Sequence, residues 1–121
     1  EGAEKSAALI RRCETGKVGG YECVVTLSEI TTIILREGRQ SDLESVLSGM
    51  REDFSLVNIT PEIAVLSGVL KSRYAAARKG FSLADSLICA AAQIMDLPLV
   101  TYDSEFDRVT EVDVRKPDHF C

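Results

Sequence analysis

Apolar residues in this chain fall into short runs and into longer stretches with helical spacing, and the two kinds alternate. The short runs are "YECVV", which follows the turn signal Gly19-Gly20, then "FSLVNI", "LPLVT" and "EVDV". Their β-branched content and turn-forming flanks predict four strands. Between them the pattern is helical. Residues 4–15, "EKSAALIRRCET", predict a short helix that stops before Gly16. "TLSEITTIILREG" predicts a second, with Thr26 as its cap, Glu29 three residues on and Gly38 as its stop. A third is expected over 41–52, where Ser41 and Glu44 repeat the capping-box spacing. Thr60-Pro61 opens a long helix, with proline at the favoured first position, running to about Arg78 and closing near Gly80. "SLADSLICAAAQIM", residues 82–95, is the last, and "DSEFDRV" reads as a short helical turn.

Helices that alternate with short, wholly apolar strands predict a parallel sheet covered on both faces, an α/β protein of three layers, α/β/α. At 121 residues the chain fits one domain, 1–121, large enough to bury a core. In such sheets ligands gather beyond the carboxyl ends of the strands. Functional residues are therefore expected just after a strand, near the start of the next helix.

The balance of 14 basic and 19 acidic residues gives a formal charge of −5, which argues against a protein that holds nucleic acid by bulk charge. It leaves room for an enzyme that reaches nucleic acid through metal ions, because metal-binding carboxylates count as negative charge until the metal arrives. No uncharged run approaches the roughly 18 residues of a membrane span, and "EGAEKS" is polar, so a cytoplasmic chain with no membrane partner is expected. Cys13, Cys23, Cys89 and Cys121 form no CxxC pair, which argues against zinc. Cys23 and Cys89 lie among apolar residues and read as small buried side chains, with a disulfide between two of the four left open.

Several acids meet the positional expectation. Glu29 follows the first strand, Asp103 follows "LPLVT" by two residues, Asp85 opens the helix that leads into that strand, and Asp107 comes one turn after Asp103. Each also has a structural reading. Ser82 and Asp85 have capping-box spacing, an acid in a first turn suits the helix dipole, Glu29 has the same relation to Thr26, Asp103 has the place of a cap and Asp107 that of a solvated surface acid. Carboxylates brought together, however, repel one another unless a positive group lies between them. Magnesium or manganese answers that need, since both prefer oxygen ligands and are held by a few carboxylates with substrate phosphate completing the shell. Such an ion activates water and stabilises charge on a phosphodiester, chemistry open to a chain whose one histidine, His119, reads as a surface residue. Lys71, Arg73, Arg78 and Lys79 precede the Asp85 helix, and contacts to a nucleic-acid backbone and a solvated face are both open for them.

"VVTLSEI" with Glu29, "FSLADSLICAAAQ" with Asp85 and "LPLVTYDSEFDRV" with Thr101 and Asp103 resemble, in order and spacing, the motifs of PIN-domain nucleases, particularly VapC-type toxins. The similarity runs over essentially all of the chain. It implies a Mg2+- or Mn2+-dependent ribonuclease with Glu29, Asp85 and Asp103 as catalytic, metal-binding acids, Thr101 as a supporting substrate-binding residue and Asp107 as a further candidate. It also implies an RNA substrate, a homodimer and, for toxins, an antitoxin that blocks the site. One departure stands out: family members begin with an apolar strand ending in Asp, whereas this sequence opens on "EGAEKSAALIRR", which is similar to the helix that comes next. Residues before Glu1 are accordingly expected to supply that strand and its acid. The rival reading is a PIN-like module without catalysis that binds RNA or protein. A phosphatase or receiver domain is a third, against which stand the missing paired-Asp strand end and the missing strand-end lysine.

Overall fold

A computed structural model of the chain describes residues 19–75, 81–101 and 103–117. The helix expected over 4–15 lies outside them, as do Cys13, Arg78, Lys79, Gly80, His119 and Cys121. The described elements are β1 (Tyr21–Cys23), α1 (Val25–Arg36), a 3-10 turn (Gln40–Asp42), α2 (Leu43–Asp53), β2 (Ser55–Val57), α3 (Pro61–Ala75), α4 (Leu83–Met95), β3 (Leu99–Val100), a second 3-10 turn (Ser104–Phe106) and β4 (Val114–Arg115). The order is the alternation that the hydrophobic pattern predicts, and the fold is α/β with parallel pairing throughout.

The strands pair differently from one continuous sheet. Among the described residues β1 runs beside β2, with Cys23 opposite Val57, and β3 runs beside β4, with Leu99 opposite Val114, as two separate parallel pairs. Both ladders continue one residue past the strand ends, through Val24 N–H to Val57 O and Thr101 N–H to Arg115 O, each at 2.9 Å.

Two predicted caps are corrected. Val24 and Val25 do not extend β1. Val24 is already helical and α1 starts at Val25, with no side-chain hydrogen bond at its cap. β-branched residues favour strands only weakly, and tertiary context overrides that preference. Thr26 therefore lies inside the helix, and Glu29 moves to its second turn with no capping role. At α2 the Ser41–Glu44 box is likewise absent. The Gln40–Asp42 turn occupies that place, Asp42 takes Arg39 at 3.0 Å, and Glu44 pairs with Arg51 at 3.9 Å.

The remaining ends follow the sequence closely. Thr60 caps α3 by accepting from Ile63 N–H at 3.2 Å. Gly38, at φ 72°, closes α1: its N–H bonds Leu35 O and the next N–H, of Arg39, bonds Ile34 O. This double bond satisfies carbonyls that the helix end would otherwise orphan, and it needs the left-handed residue that glycine supplies without strain. Asp96, at φ 53°, closes α4 in the same way, with Leu97 N–H on Ala92 O, and Pro98 follows.

The core gathers where α3 lies against α4. Ile63 and Leu70 from α3, Cys89, Ala90 and Ala91 from α4, and Cys23, Phe81, Phe106 and Val109 form one buried cluster. Small residues on α4 let the helices approach closely. Phe81 joins the layers by edge-on contacts with Tyr74 at 5.7 Å and Phe106 at 6.3 Å between ring centres, the geometry aromatic quadrupoles favour. Cys23 and Cys89 are both buried, and no disulfide links these two. Among the described residues, no helix is long and apolar enough to cross a membrane.

Candidate functional site

The parallel strand β1 delivers the chain directly into α1, and α4 packs against both elements. Glu29 thus stands half-buried on the second turn of α1, and Asp85 half-buried on the first turn of α4. Burial pushes the Glu29 carboxyl above the usual glutamate range, and the negative charge of Asp85 pushes it further in the same direction.

A third acid belongs to this row. Glu22, in the middle of β1, is raised first by burial and then by the charge of Glu29. Sequence reasoning passed over Glu22. The available signal was a carboxylate at the centre of the otherwise apolar run "YECVV", since an acid in a half-buried strand is costly without a partner. Beside it, burial raises the Cys23 thiol; a backbone hydrogen bond at Val25 opposes that, and Glu22 and Glu29 add to it.

Asp85 carries the capping box in full. Ser82 Oγ accepts from Asp85 N–H at 3.0 Å, and Ser82 N–H donates to Asp85 Oδ2 at 3.1 Å. The structural role and the exposure to Glu29 coexist, because the cap hydrogen bond engages only one of the two carboxylate oxygens. A side chain held in this way has little rotational freedom, and its negative charge complements the positive end of the α4 dipole.

Asp103 sits elsewhere. It follows β3, and Oδ1 caps the second 3-10 turn by accepting from Glu105 N–H at 2.9 Å. Thr101 Oγ1 accepts from Asp103 N–H at 3.0 Å, so Thr101 shapes the backbone that presents Asp103. Asp107 accepts from Lys116 at 3.1 Å on the surface. Of the four acids expected to converge, Glu29 and Asp85 interact, with Glu22 beside Glu29, while Asp103 and Asp107 make their contacts in the segment after β3. Among the described residues no group of three or more His, Cys, Asp or Glu is arranged to hold a metal ion.

Lys71 and Arg73, the two of the four basic residues before α4 that lie among the described residues, serve the fold. Lys71 donates to Phe81 O at 3.1 Å. Arg73 pairs with Glu111, which also accepts from Tyr74 Oη at 2.5 Å. Burial works against ionisation of Glu111, but the hydrogen bonds from Tyr74 and Arg73 outweigh it and hold the carboxyl below the ordinary range. At the other end of α4 from Asp85, a half-open pocket of about 300 Å³ lies between Gln93, Asp96, Pro98, Glu111 and Arg115, and none of the predicted site residues lines it.

The family model described as PIN domain matches residues 2–112. The chain belongs to the PIN domain family. PIN domains are generally nucleases that act on RNA, many of them toxins, and they typically use divalent metal ions. Comparison with curated proteins and with solved structures returned no match. Within this PIN domain, Glu29 and Asp85 are oxygen donors of the hard kind that such ions prefer, and the charge of Asp85 bears on Glu29. One or two carboxylates with substrate phosphate are the usual holding for magnesium, so this pair fits such an ion by its chemistry.

Proposed function

We propose that this PIN domain is an endoribonuclease dependent on Mg2+ or Mn2+, the toxin of a toxin-antitoxin pair, with Glu29, Asp85 and Asp103 as its catalytic acids. The observation that carries the reading is the pairing of Glu29 with Asp85. Glu29, half-buried on α1, is costlier to ionise first because of burial and then because of the charge of Asp85 on α4, an arrangement that a bound cation would relieve. Glu29 and Asp85 would hold the ion and Asp103 would approach from the β3 side, with Thr101 Oγ1 fixing its backbone. The ion supplies charge for the developing phosphodiester oxyanion and lowers the pKa of water. The chain's own part is to orient: the Ser82–Asp85 cap keeps one carboxylate rigid, and β1 and α1 keep the second opposite it.

The homodimer and the antitoxin belong to the same proposal. The outward side of α3, where Val65 is 70% and Val69 45% exposed, is an apolar surface suited to a second copy. A cytoplasmic site of action is consistent with an RNA substrate.

The test is cleavage of a mixed RNA with and without manganese by the chain and by Asp85→Asn, Glu29→Gln and Ser82→Ala. Cutting that needs metal and vanishes in the first two variants is expected. Ser82→Ala loosens Asp85 without removing it and should lose about 1 kcal/mol of stability and cut more slowly, without abolishing cleavage. The second reading, a PIN module that binds RNA or protein without cutting, is favoured by the lack of a three-acid group among the described residues. RNA affinity unchanged by chelator, with no cutting by any form, would select it.

A further inference from the structure

The start of α4 carries Asp85, and helix starts fray because their first N–H groups have no partners within the helix. Here the capping box of Ser82 and Asp85 satisfies part of that need. Contacts from outside α4 hold its first turn as well.

Two residues of α3, one helical turn apart, do so on either side of the cap. Lys71 Nζ donates to the carbonyl of Phe81, one residue before Ser82, at 3.1 Å. Ser67 Oγ lies 3.2 Å from Ser86 Oγ, one residue after Asp85. Ser86 gives its single hydroxyl proton to Leu83 O at 2.7 Å, so Ser67 is the donor in the serine pair. Both serines are closed off from solvent, at 1% and 0% exposure.

Packing alone does not call for these choices. A buried hydroxyl pair gives little net stability over apolar groups of the same shape, and the surrounding cluster is made of Ile63, Leu70, Cys89 and Ala90. A lysine at the positive end of a helix is the charge that the helix dipole disfavours. What both contacts supply is direction: they fix the backbone immediately before and after the four residues that form the cap.

We propose that Ser67 and Lys71 are positioning residues for Asp85, gripping the α4 start so that its carboxylate keeps its place opposite Glu29. The functional meaning of that grip rests on the nuclease reading above. Lys71, a candidate for nucleic-acid contact by its sequence position, acts inward through Phe81. Partners one step removed from a metal-binding side chain typically change metal affinity or activity by about 10- to 100-fold when lost.

The experiment compares the full chain with Ser67→Ala, Lys71→Met and Lys71→Arg, after circular dichroism confirms folding. Three quantities are measured: hydrogen exchange of the Asp85 and Ser86 amides by NMR, Mn2+ affinity by calorimetry, and kcat and KM for RNA cleavage. Ser67→Ala and Lys71→Met are expected to speed exchange of those amides, weaken Mn2+ binding and lower kcat by about tenfold or more, with KM little changed. Lys71→Arg keeps a donor and should restore most of each loss. If Ser67→Ala does not fold, the Met and Arg variants at Lys71 carry the comparison. Folded variants whose α4 amides, Mn2+ affinity and kcat all match the parent overturn the proposal, as does a loss that Lys71→Arg fails to relieve. A parent chain that neither binds Mn2+ nor cuts RNA, with α4 amides that still respond to the variants, overturns the nuclease reading and leaves the mechanical grip intact.

Discussion

Burial holds Glu22 and Glu29 toward their protonated forms, and each is pushed further by the next acid in the row, Glu22 by Glu29 and Glu29 by Asp85. A carboxyl whose pKa is higher folded than unfolded binds more protons in the folded state. It therefore favours folding at low pH and loses that advantage as pH rises from the ordinary glutamate range through the raised value. Glu22→Gln is expected to flatten this fall and to leave the chain more stable at neutral pH, as read from urea unfolding between about pH 4 and 7. Glu111 has the opposite sign. Its folded carboxyl is held low once the bonds from Tyr74 and Arg73 outweigh burial, so its contribution is present above the ordinary carboxylate range and is lost as pH falls through the lowered value. Glu111→Gln should remove the acid-side loss without changing the neutral-side slope. Equal pH profiles for both variants would mean that neither group is placed as described.

Helix ends decide where the acids stand. Gly38 closes α1 in the left-handed region, a conformation that puts a Cβ against backbone at about 1–2 kcal/mol. Gly38→Ala should cost an amount of that order. Gly68 lies within α3 with nothing within 4 Å of where a Cβ would be. Gly68→Ala should therefore stabilise by roughly 0.5–1 kcal/mol, because alanine loses less backbone entropy in a helix interior. Urea midpoints for the two variants should move in opposite directions. At this scale much was legible from local chemistry. The Thr60-Pro61 start, the Gly38 stop and the Ser82–Asp85 box all depend on residues a few positions apart, and each stands where the sequence indicates. The Thr26 and Ser41 caps failed because the same spacing has no force unless the backbone turns helical at that residue. That was set by β1 feeding straight into α1 and by the 3-10 turn before α2.

The described molecule is two parallel pairs of strands tied together through the α3–α4 core. A strand with one partner leaves its other backbone edge without ladder bonds. Amides on the edge of β1 facing away from β2, and of β3 facing away from β4, are expected to exchange with solvent faster than those in the ladders, measured by hydrogen exchange and NMR. Slow exchange on both outer edges would show that another segment pairs there. The same separation governs the site: Glu29 and Asp85 stand by the β1 pair and α4, while Thr101 and Asp103 follow β3. Joining the two strand pairs is what would bring the acids into one set.

The alternation of strand and helix, the parallel pairing, the caps at Ser82 and Thr60, and the PIN motifs at Glu29, Asp85, Thr101 and Asp103 are all legible in the order of residues. Periodicity, capping and motif spacing act over a few residues, and those distances are written in the chain. Packing in three dimensions puts Glu22 within reach of the Glu29 charge, turns Lys71 and Arg73 to the fold, and brings Ser67 to Ser86. Those outcomes depend on which surfaces pack together and on how much water they exclude. Burial and through-space charge link residues far apart in sequence, and no local pattern records them.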